Sequence, residues 1–404
     1  MILSLNRLFV LKISLWLICL LVFTASQSIN ATTMEGPPWR ILFFGSDNFS
    51  LKVLIALTDE FKRSEKLISK LDLMFIDDDS VAWKYAYEHR LNRIPYPPES
   101  STDLRDKYDI GIVASFGAML RNDLIKEFPL GILNSHPSLL PRWRGASPIP
   151  HAIMYGDTET GVTIMKIKPD EFDTGDIVMQ RRTKIGSHEH TPEVLSRLAD
   201  ESANLMLDVI KDLPKSVQSL TPQGNENATY APLLKQEMTW ILWKNWTAEQ
   251  IYNRHRGLSH LWPVSSIWKS FVVKFHNFTV IPATKAVSLE ALAGAIKPSI
   301  TAPKAELNRP HNLQALPPEA WLRPGLVMFD KSVKALRVMC VDGAQLLVPS
   351  VTVSGRKTMD ACGFHNGFLS RTKPYDRVFN EYSQIKGEGS TKPSRAKVSP
   401  KRRG

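Results

Sequence analysis

Cysteine is scarce, with three among 404 residues. Cys19 lies in the opening stretch, while Cys340 and Cys362 form neither a Cys-x-x-Cys pair nor a cluster with histidine. A zinc site and a disulfide framework both lack the residues they need. A Gly-x-Gly-x-x-Gly run is also missing. The first strand-like segment ends in Gly45-Ser46-Asp47, which excludes the dinucleotide fingerprint and leaves Gly45 as a tight turn between strand and helix. Acidic residues are absent before Glu35, and the apolar run there, Leu8 to Phe23, is broken by Lys12 and is short for a membrane span.

By shape that run is a secretory signal or short anchor. The missing acids and the Ser/Thr-rich residues after it are also traits of mitochondrial presequences, which are usually less hydrophobic. Met34 offers an internal start that would bypass it.

What is present points to two domains, because 404 residues with 43% hydrophobic content exceed what one core organises. A formal charge of +11 suits a polyanionic partner, although basicity predicts non-specific binding as readily as recognition. From Arg40 the chain alternates apolar runs with helical spacing: strands at 40–44, 71–76 and 110–115, helices at 51–57 and 80–91. That alternation predicts an α/β domain with a mostly parallel, Rossmann-like sheet. Thr191 to Leu213 keeps helical spacing through Leu195, Leu198, Ala199, Leu205 and Ile210, and reads as packing.

The densest polar signal follows Phe128-Pro-Leu-Gly-Ile-Leu133, a run of the kind that makes a buried parallel strand. At its end stand Asn134 and His136, two residues apart, so a strand would turn both to the same side. Asp173 follows in Asp170-Glu-Phe-Asp173-Thr-Gly-Asp176. An amide, an imidazole and a carboxylate are the groups needed to move an acyl unit onto an amine: one polarises the carbonyl, one stabilises the oxyanion, one manages protons. Strand-end polar residues that cap neighbouring backbone are the plainer account of any one of them.

Asn-x-His, Ser138-Leu-Leu-Pro141-Arg142-Trp-Arg144-Gly-x-x-Pro-Ile149, Gly156-Asp-x-Glu-Thr-Gly-Val-Thr-Ile-Met165 and Asp173-Thr-Gly-Asp176 together closely resemble the folate-dependent formyltransferases. The resemblance runs from about Arg40 to about Tyr382, with Arg40 to Phe49 similar to the family's first strand and turn and Thr229-Tyr-Ala-Pro232 to its domain join. It implies transfer of the formyl group of 10-formyltetrahydrofolate to the α-amine of methionyl-tRNA, with Asn134, His136 and Asp173 catalytic and no metal. It further implies that Ser115, Phe116, Gly117, Ala118 and Met119, with Ser138, Leu139, Leu140 and Pro141, bind the folate, the first group through its main chain. A plain turn with Phe116 buried accounts for the former segment without a ligand.

Two departures from the family stand out. Where bacterial members carry a long basic loop implicated in gripping tRNA, this chain has the short acidic Asp77-Asp78-Asp79, as in the mitochondrial branch. The loop Asp170-Glu-Phe-Asp173 differs by one residue from the usual Asp-x-Gly-x-Asp and is similar to that of glycinamide ribonucleotide transformylase. The resemblance places the enzyme, as a monomer without stable membrane association, in the mitochondrial matrix, against the secretory shape of the leader.

Pro, Ser, Gln and Gly between 214 and 226 read as a linker. Beyond it a cap-like Thr247-Ala-Glu249 opens a helix, and strand-like runs at 265–269, 271–275, 335–339 and 345–349 predict a small β-barrel, for which the resemblance supplies an oligonucleotide-binding (OB) type. The division expected is a targeting leader 1–38, a catalytic domain 39–213, a linker 214–228, an OB-like tRNA-binding domain 229–385 and a disordered basic tail 386–404, with 283–318 a long loop in the barrel. Trp240, Trp243, Trp246 and Trp262 are read as core. Arg142, Arg144, Lys244, Arg254 and Arg256 are the candidate tRNA contacts. The sequons at Asn227, Asn245 and Asn277 matter only on the secretory route. Two other readings share the catalytic motif: a different folate formyl enzyme, such as a hydrolase or sugar-amine formyltransferase, and a non-catalytic RNA-binding relative.

Overall fold

Trp39–Gly45 (β1) carries apolar side chains on both faces and is buried almost throughout, as a central parallel strand must be. The computed structural model describes residues 36–294 and 321–382. All but the last residues of the expected leader, the tail from 386 and most of the expected 283–318 loop lie outside the described residues. After β1, Asp47 caps Asn48–Phe61 (α1) by accepting from the amides of Phe49 and Ser50, both at 3.0 Å. Phe49, Val53, Leu54 and Leu57 recur at helical spacing and face the core.

Six further strands complete the first sheet: Ile68–Phe75 (β2), Asn92–Pro95 (β3), Ile110–Ala114 (β4), Ile132–His136 (β5), Glu159–Lys166 (β6) and Ile177–Lys184 (β7). Their order is β3-β2-β1-β4-β5-β6-β7. β1 to β5 run parallel, while β6 and β7 join antiparallel at one edge. The strand order reverses between β1 and β4, so the crevice outside their carboxyl ends is the place where such sheets take ligands. Val81–Glu88 (α2), capped by Ser80, lies beside β2 and β3, and Thr191–Lys211 (α4) covers β6, β7 and α1 with Val194, Leu198, Leu205, Met206 and Val209. Among the described residues, no helix is long and apolar enough to cross a membrane.

The barrel half is built from two four-stranded antiparallel sheets. One is ordered Thr279–Ile281 (β10), Gln345–Val348 (β13), Ala335–Met339 (β12), Val327–Asp330 (β11); the other Thr358–Asp360 (β15), Ser350–Val353 (β14), Phe271–His276 (β9), Ser265–Trp268 (β8). Only Pro349 separates β13 from β14, which joins the sheets on one side. On the other side residues 377–380 pair with both: Val327 donates to Arg377 O, Phe379 to Gly325 O, and Ile267 and Asn380 exchange bonds. The ring encloses Trp243, Trp268, Val273, Phe275, Leu336, Val338, Leu346 and Phe379. Ala248–Leu258 (α5) packs beside it and opens with a Thr247–Gln250 capping box. Part of the stretch expected as loop is ordered, since Leu289–Gly294 is helical with Leu289 buried against Leu326, Met328 and Met339.

The two halves meet through Pro148–Met154 (α3), buried along its whole length, against α5. A Cβ on Gly257 would fall 2.6 Å from Met154 Cγ, so only glycine allows this approach. The segment expected as a linker is bound down on the first half: Thr221 pairs with Ile177 of β7, and Ala231, completely buried, belongs to the first core.

Candidate active site

Strand alternation sets the geometry of β5. Ser135 points into the core, its hydroxyl 2.5 Å from that of Ser202 on α4, so Asn134 and His136 turn to the opposite face. Asp173 reaches them from the β6–β7 loop. Its Oδ1 lies 3.4 Å from Asn134 Nδ2 and 3.7 Å from His136 Nδ1, and its Oδ2 accepts from Gly145 N at 2.7 Å. One carboxylate thus joins the three residues expected from sequence to a fourth group, a main-chain amide that side-chain reading does not reveal.

His136 is held from its far side as well. Nε2 lies 2.9 Å from the carbonyl oxygen of Trp143, which can only accept, so Nε2 carries a hydrogen and Nδ1 is the nitrogen left for chemistry. The imidazole is 5% exposed and the Asp173 side chain 13%. Partial dehydration of this kind strengthens each polar contact to an arriving ligand.

The loop that carries Asp173 is tied at several points. Asn122 donates to Asp170 at 2.7 Å, Thr174 to Glu171, and Lys168 pairs with Asp176 at 2.8 Å. A Cβ on Gly175 would sit 1.9 Å from Lys166 O, which explains glycine there. Asp173 has a left-handed backbone, φ 52°. Gln223, from the segment composition assigned to a linker, donates to Asp173 O at 3.1 Å and Gly175 O at 2.6 Å.

Beside these residues open the loops after β4 and β5. Ser115 (φ 48°) and Gly117 (φ 87°) turn the chain outward, and a Cβ on Gly117 would meet nothing within 4 Å, so main chain is bared to the crevice. Ser115, Ala118 and Met119 are exposed, and Ser115 Oγ donates to Asp47 Oδ2 at 2.5 Å. Three of the residues expected to bind folate keep their side chains inside, which leaves their main chain as the part that faces the crevice. Phe116 is 3% exposed and packs edge-on against Phe44 and Tyr96 because this apolar ring is worth more in the core than at a wet rim. Ser138 is fully buried with its hydroxyl donated to Arg142 O, and Leu140 is 3% exposed. Leu139 and Pro141 stay half-buried. Thr163 and Gln180 set this loop's shape: Leu140 N donates to Thr163 Oγ1, and Gln180 Nε2 to Leu140 O and Thr163 Oγ1.

Two of the candidate tRNA contacts are buried. Arg144 is 3% exposed, its guanidinium engaged by Gln223, Gly224 and Asn225. Arg256 is 4% exposed and bonds Asn253 and the carbonyls of Gly186 and Glu189. Both charges are enclosed by the acceptors of folded loops. Arg142 is partly exposed but held by Asp157 through two short bonds. Lys244 is exposed. Arg254 stacks 3.8 Å over Trp246, and burial lowers its pKa. Trp243 is core as expected; Trp240, Trp246 and Trp262 are half-buried, Trp240 stacking on Tyr382. The acidic Asp77–Asp79 turn is exposed, and Lys84 beside it holds the Asp79 carboxyl below the usual range. Among the described residues, no group of three or more His, Cys, Asp or Glu could hold a metal ion.

Comparison with known proteins covers both halves. Residues 87–210 match the formyl transferase family model, and residues 233–369 match that of the formyl transferase C-terminal domain. The chain is 36% identical to human mitochondrial methionyl-tRNA formyltransferase over 84% of its own length and 80% of the relative's. It is 32% identical to the Rattus norvegicus protein of the same name over 86% and 83%. Among solved structures, a sugar 3N-formyl transferase crystallised in the presence of dTDP and 5-N-formyl-THF superposes with a TM-score of 0.53 at 14% identity, covering 80% of this chain and all of the other.

Proposed function

Because this chain belongs to the formyl transferase family, we propose that Asn134, His136 and Asp173 are its catalytic residues and that it moves the formyl group of 10-formyltetrahydrofolate onto the α-amine of methionyl-tRNA. The enzyme is a methionyl-tRNA formyltransferase. The observation that carries the assignment of the site is the single Asp173 carboxylate placed between the Asn134 amide and the His136 imidazole at the ligand edge of the sheet.

The folate ring system lies along the bared main chain at 115–119 and beside the 138–141 loop, which brings its formyl group against β5. The methionyl amine attacks the formyl carbon, and the new N–C bond places negative charge on the former carbonyl oxygen. Asn134 donates to that oxygen with the amide hydrogen that Asp173 leaves free, and His136 donates from Nδ1 when protonated there. Collapse breaks the bond between the formyl carbon and N10 of the folate. The proton shed by the amine passes by way of Asp173 or water to N10, so the atoms balance without an added reagent.

Of the candidate tRNA contacts Lys244 is exposed, and we assign it, with the partly exposed Arg142 and Arg254, to tRNA phosphates. We assign the enzyme to the mitochondrial matrix; that its relatives from Homo sapiens and Rattus norvegicus are named mitochondrial supports the organelle. The test is an acid-urea gel of initiator methionyl-tRNA incubated with protein and 10-formyltetrahydrofolate. Formylated product is expected; formylation of an amino sugar instead would overturn the acceptor assignment.

A further inference from the structure

Gln223 lies fifty residues from Asp173 in sequence, yet both hydrogens of its side-chain amide are given to the loop that presents that carboxylate, one to Asp173 O and one to Gly175 O. The other end of the same amide is fixed in turn, because Oε1 accepts from Arg144 Nε at 3.3 Å and Nη2 at 3.0 Å. Arg144 is buried, bonds Asn225 Oδ1 and Gly224 O as well, and exchanges main-chain bonds with Thr229 and Ala231. Its neighbour Gly145 supplies the amide that holds Asp173 Oδ2. Asp173 is therefore gripped twice by one unit, at its carboxylate through Gly145 and at its backbone through Arg144 and Gln223.

The grip has a task. The left-handed backbone of Asp173, φ 52°, is one an aspartate adopts, and the bonds from Gln223 and Gly145 hold it there. With the Gln223 donors gone, Asp173 O and Gly175 O lose their side-chain partner, and the carboxylate is left to the Gly145 amide alone on this side.

We propose that Gln223 is a positioning residue for formyl transfer, acting only through Asp173, and that the segment joining the two halves is for that reason part of the catalytic apparatus. The inference rests on the assignment of Asp173 made above. It predicts that Gln223→Ala lowers kcat about ten- to a hundredfold, the scale of a displaced catalytic group, while KM for the folate moves less than about threefold. Gln223→Glu separates positioning from bracing. It keeps the oxygen that faces Arg144 but sets a second oxygen, with no hydrogen to give, against Asp173 O and Gly175 O, so it is expected to be at least as slow as Gln223→Ala.

The decisive experiment is a double-mutant cycle in the full chain by single-turnover transfer. Asp173→Asn combined with Gln223→Ala is expected to be no slower than Asp173→Asn alone. In parallel, the ¹⁵N shifts of the His136 imidazole in Gln223→Ala should move in the direction seen in Asp173→Asn, a readout independent of any acceptor. Multiplied losses in the cycle, a fully active Gln223→Glu, or unmoved His136 shifts would each overturn the proposal. A wild-type protein that fails to formylate methionyl-tRNA would instead count against the assigned reaction, and the His136 shifts would still decide the role of Gln223.

Discussion

Replacing Asp173 by Asn tests how the two carboxylate oxygens divide their work. Oδ2 takes the Gly145 amide at 2.7 Å, where a side-chain NH2 would set donor against donor, so the asparagine must keep its oxygen there. That preserves a hydrogen bond to the loop and weakens it from charge-assisted to neutral, at a cost of about 1 kcal/mol in stability. The NH2 is then forced to the place of Oδ1, 3.4 Å from Asn134 Nδ2 and 3.7 Å from His136 Nδ1. Two donors meet at Asn134, and a hydrogen on His136 Nδ1 loses its acceptor. Loss of a group that manages protons in the transition state costs about 10²–10⁴-fold in kcat, some 3–5 kcal/mol of barrier, and a fall in that range is expected here. The assay is single-turnover formylation followed on an acid-urea gel, with folate titration and thermal melting of the same preparation. Transfer within tenfold of wild type would refute the reasoning, as would a melting point so low that the carboxylate is needed to fold the chain.

His136→Ala and Asn134→Ala, each removing one oxyanion donor, should cost about 2.7–4 kcal/mol of transition-state stabilisation in the same gel assay, with normal melting. Truncation after Gln223 should give a less stable first half than truncation after Lys235, by roughly 3 kcal/mol. Only the longer piece keeps the Thr229–Ala231 seam, whose bonds Arg144 N to Thr229 O, Ala231 N to Arg144 O and Ser147 N to Ala231 O contribute about 1 kcal/mol each; chemical denaturation compares them. Both truncations should bind tRNA weakly and with a shallower salt dependence than the full chain, since the candidate phosphate contacts Lys244 and Arg254 are gone. Stability should fall with acid between pH 6.5 and 4. His255 is buried at the junction of the halves, and burial lowers its pKa to about 4, so below 6.5 the unfolded chain takes up a proton the folded one refuses. The full effect is about 3 kcal/mol, and His255→Leu should flatten the slope of melting temperature against pH, with the lowered His190 retaining part of it.

Local regularity made part of this molecule legible before any coordinates. The two-residue spacing of Asn134 and His136 placed both on one face of β5, and Thr247 opened α5 with its capping box, because both depend on nearest neighbours along the chain. Arg144 and Arg256 read as surface charge for the opposite reason. What encloses them comes from Gln223 and Asn225 in one case and from the carbonyls of Gly186 and Glu189 in the other, across tens of residues without a periodic pattern. Gln223 itself was hidden in a stretch whose Pro, Ser and Gly describe an irregular path, and an irregular path can still be a firmly bonded one. Trp143 and Gly145 contribute to the site through main-chain atoms, for which side-chain chemistry gives no sign.

Closure of the barrel by residues 377–380 has a consequence for how the protein is made. During synthesis the first core can be completed once Ala231 has emerged, whereas β8 and β11 wait for a strand that leaves the ribosome about 110 and 50 residues later respectively. Until then both present unpaired edges, the surface on which nascent chains join one another. Lesions that stop the chain shortly before Arg377 should therefore be read out as insoluble protein rather than as a slow enzyme, even though every residue around Asp173 has already been made.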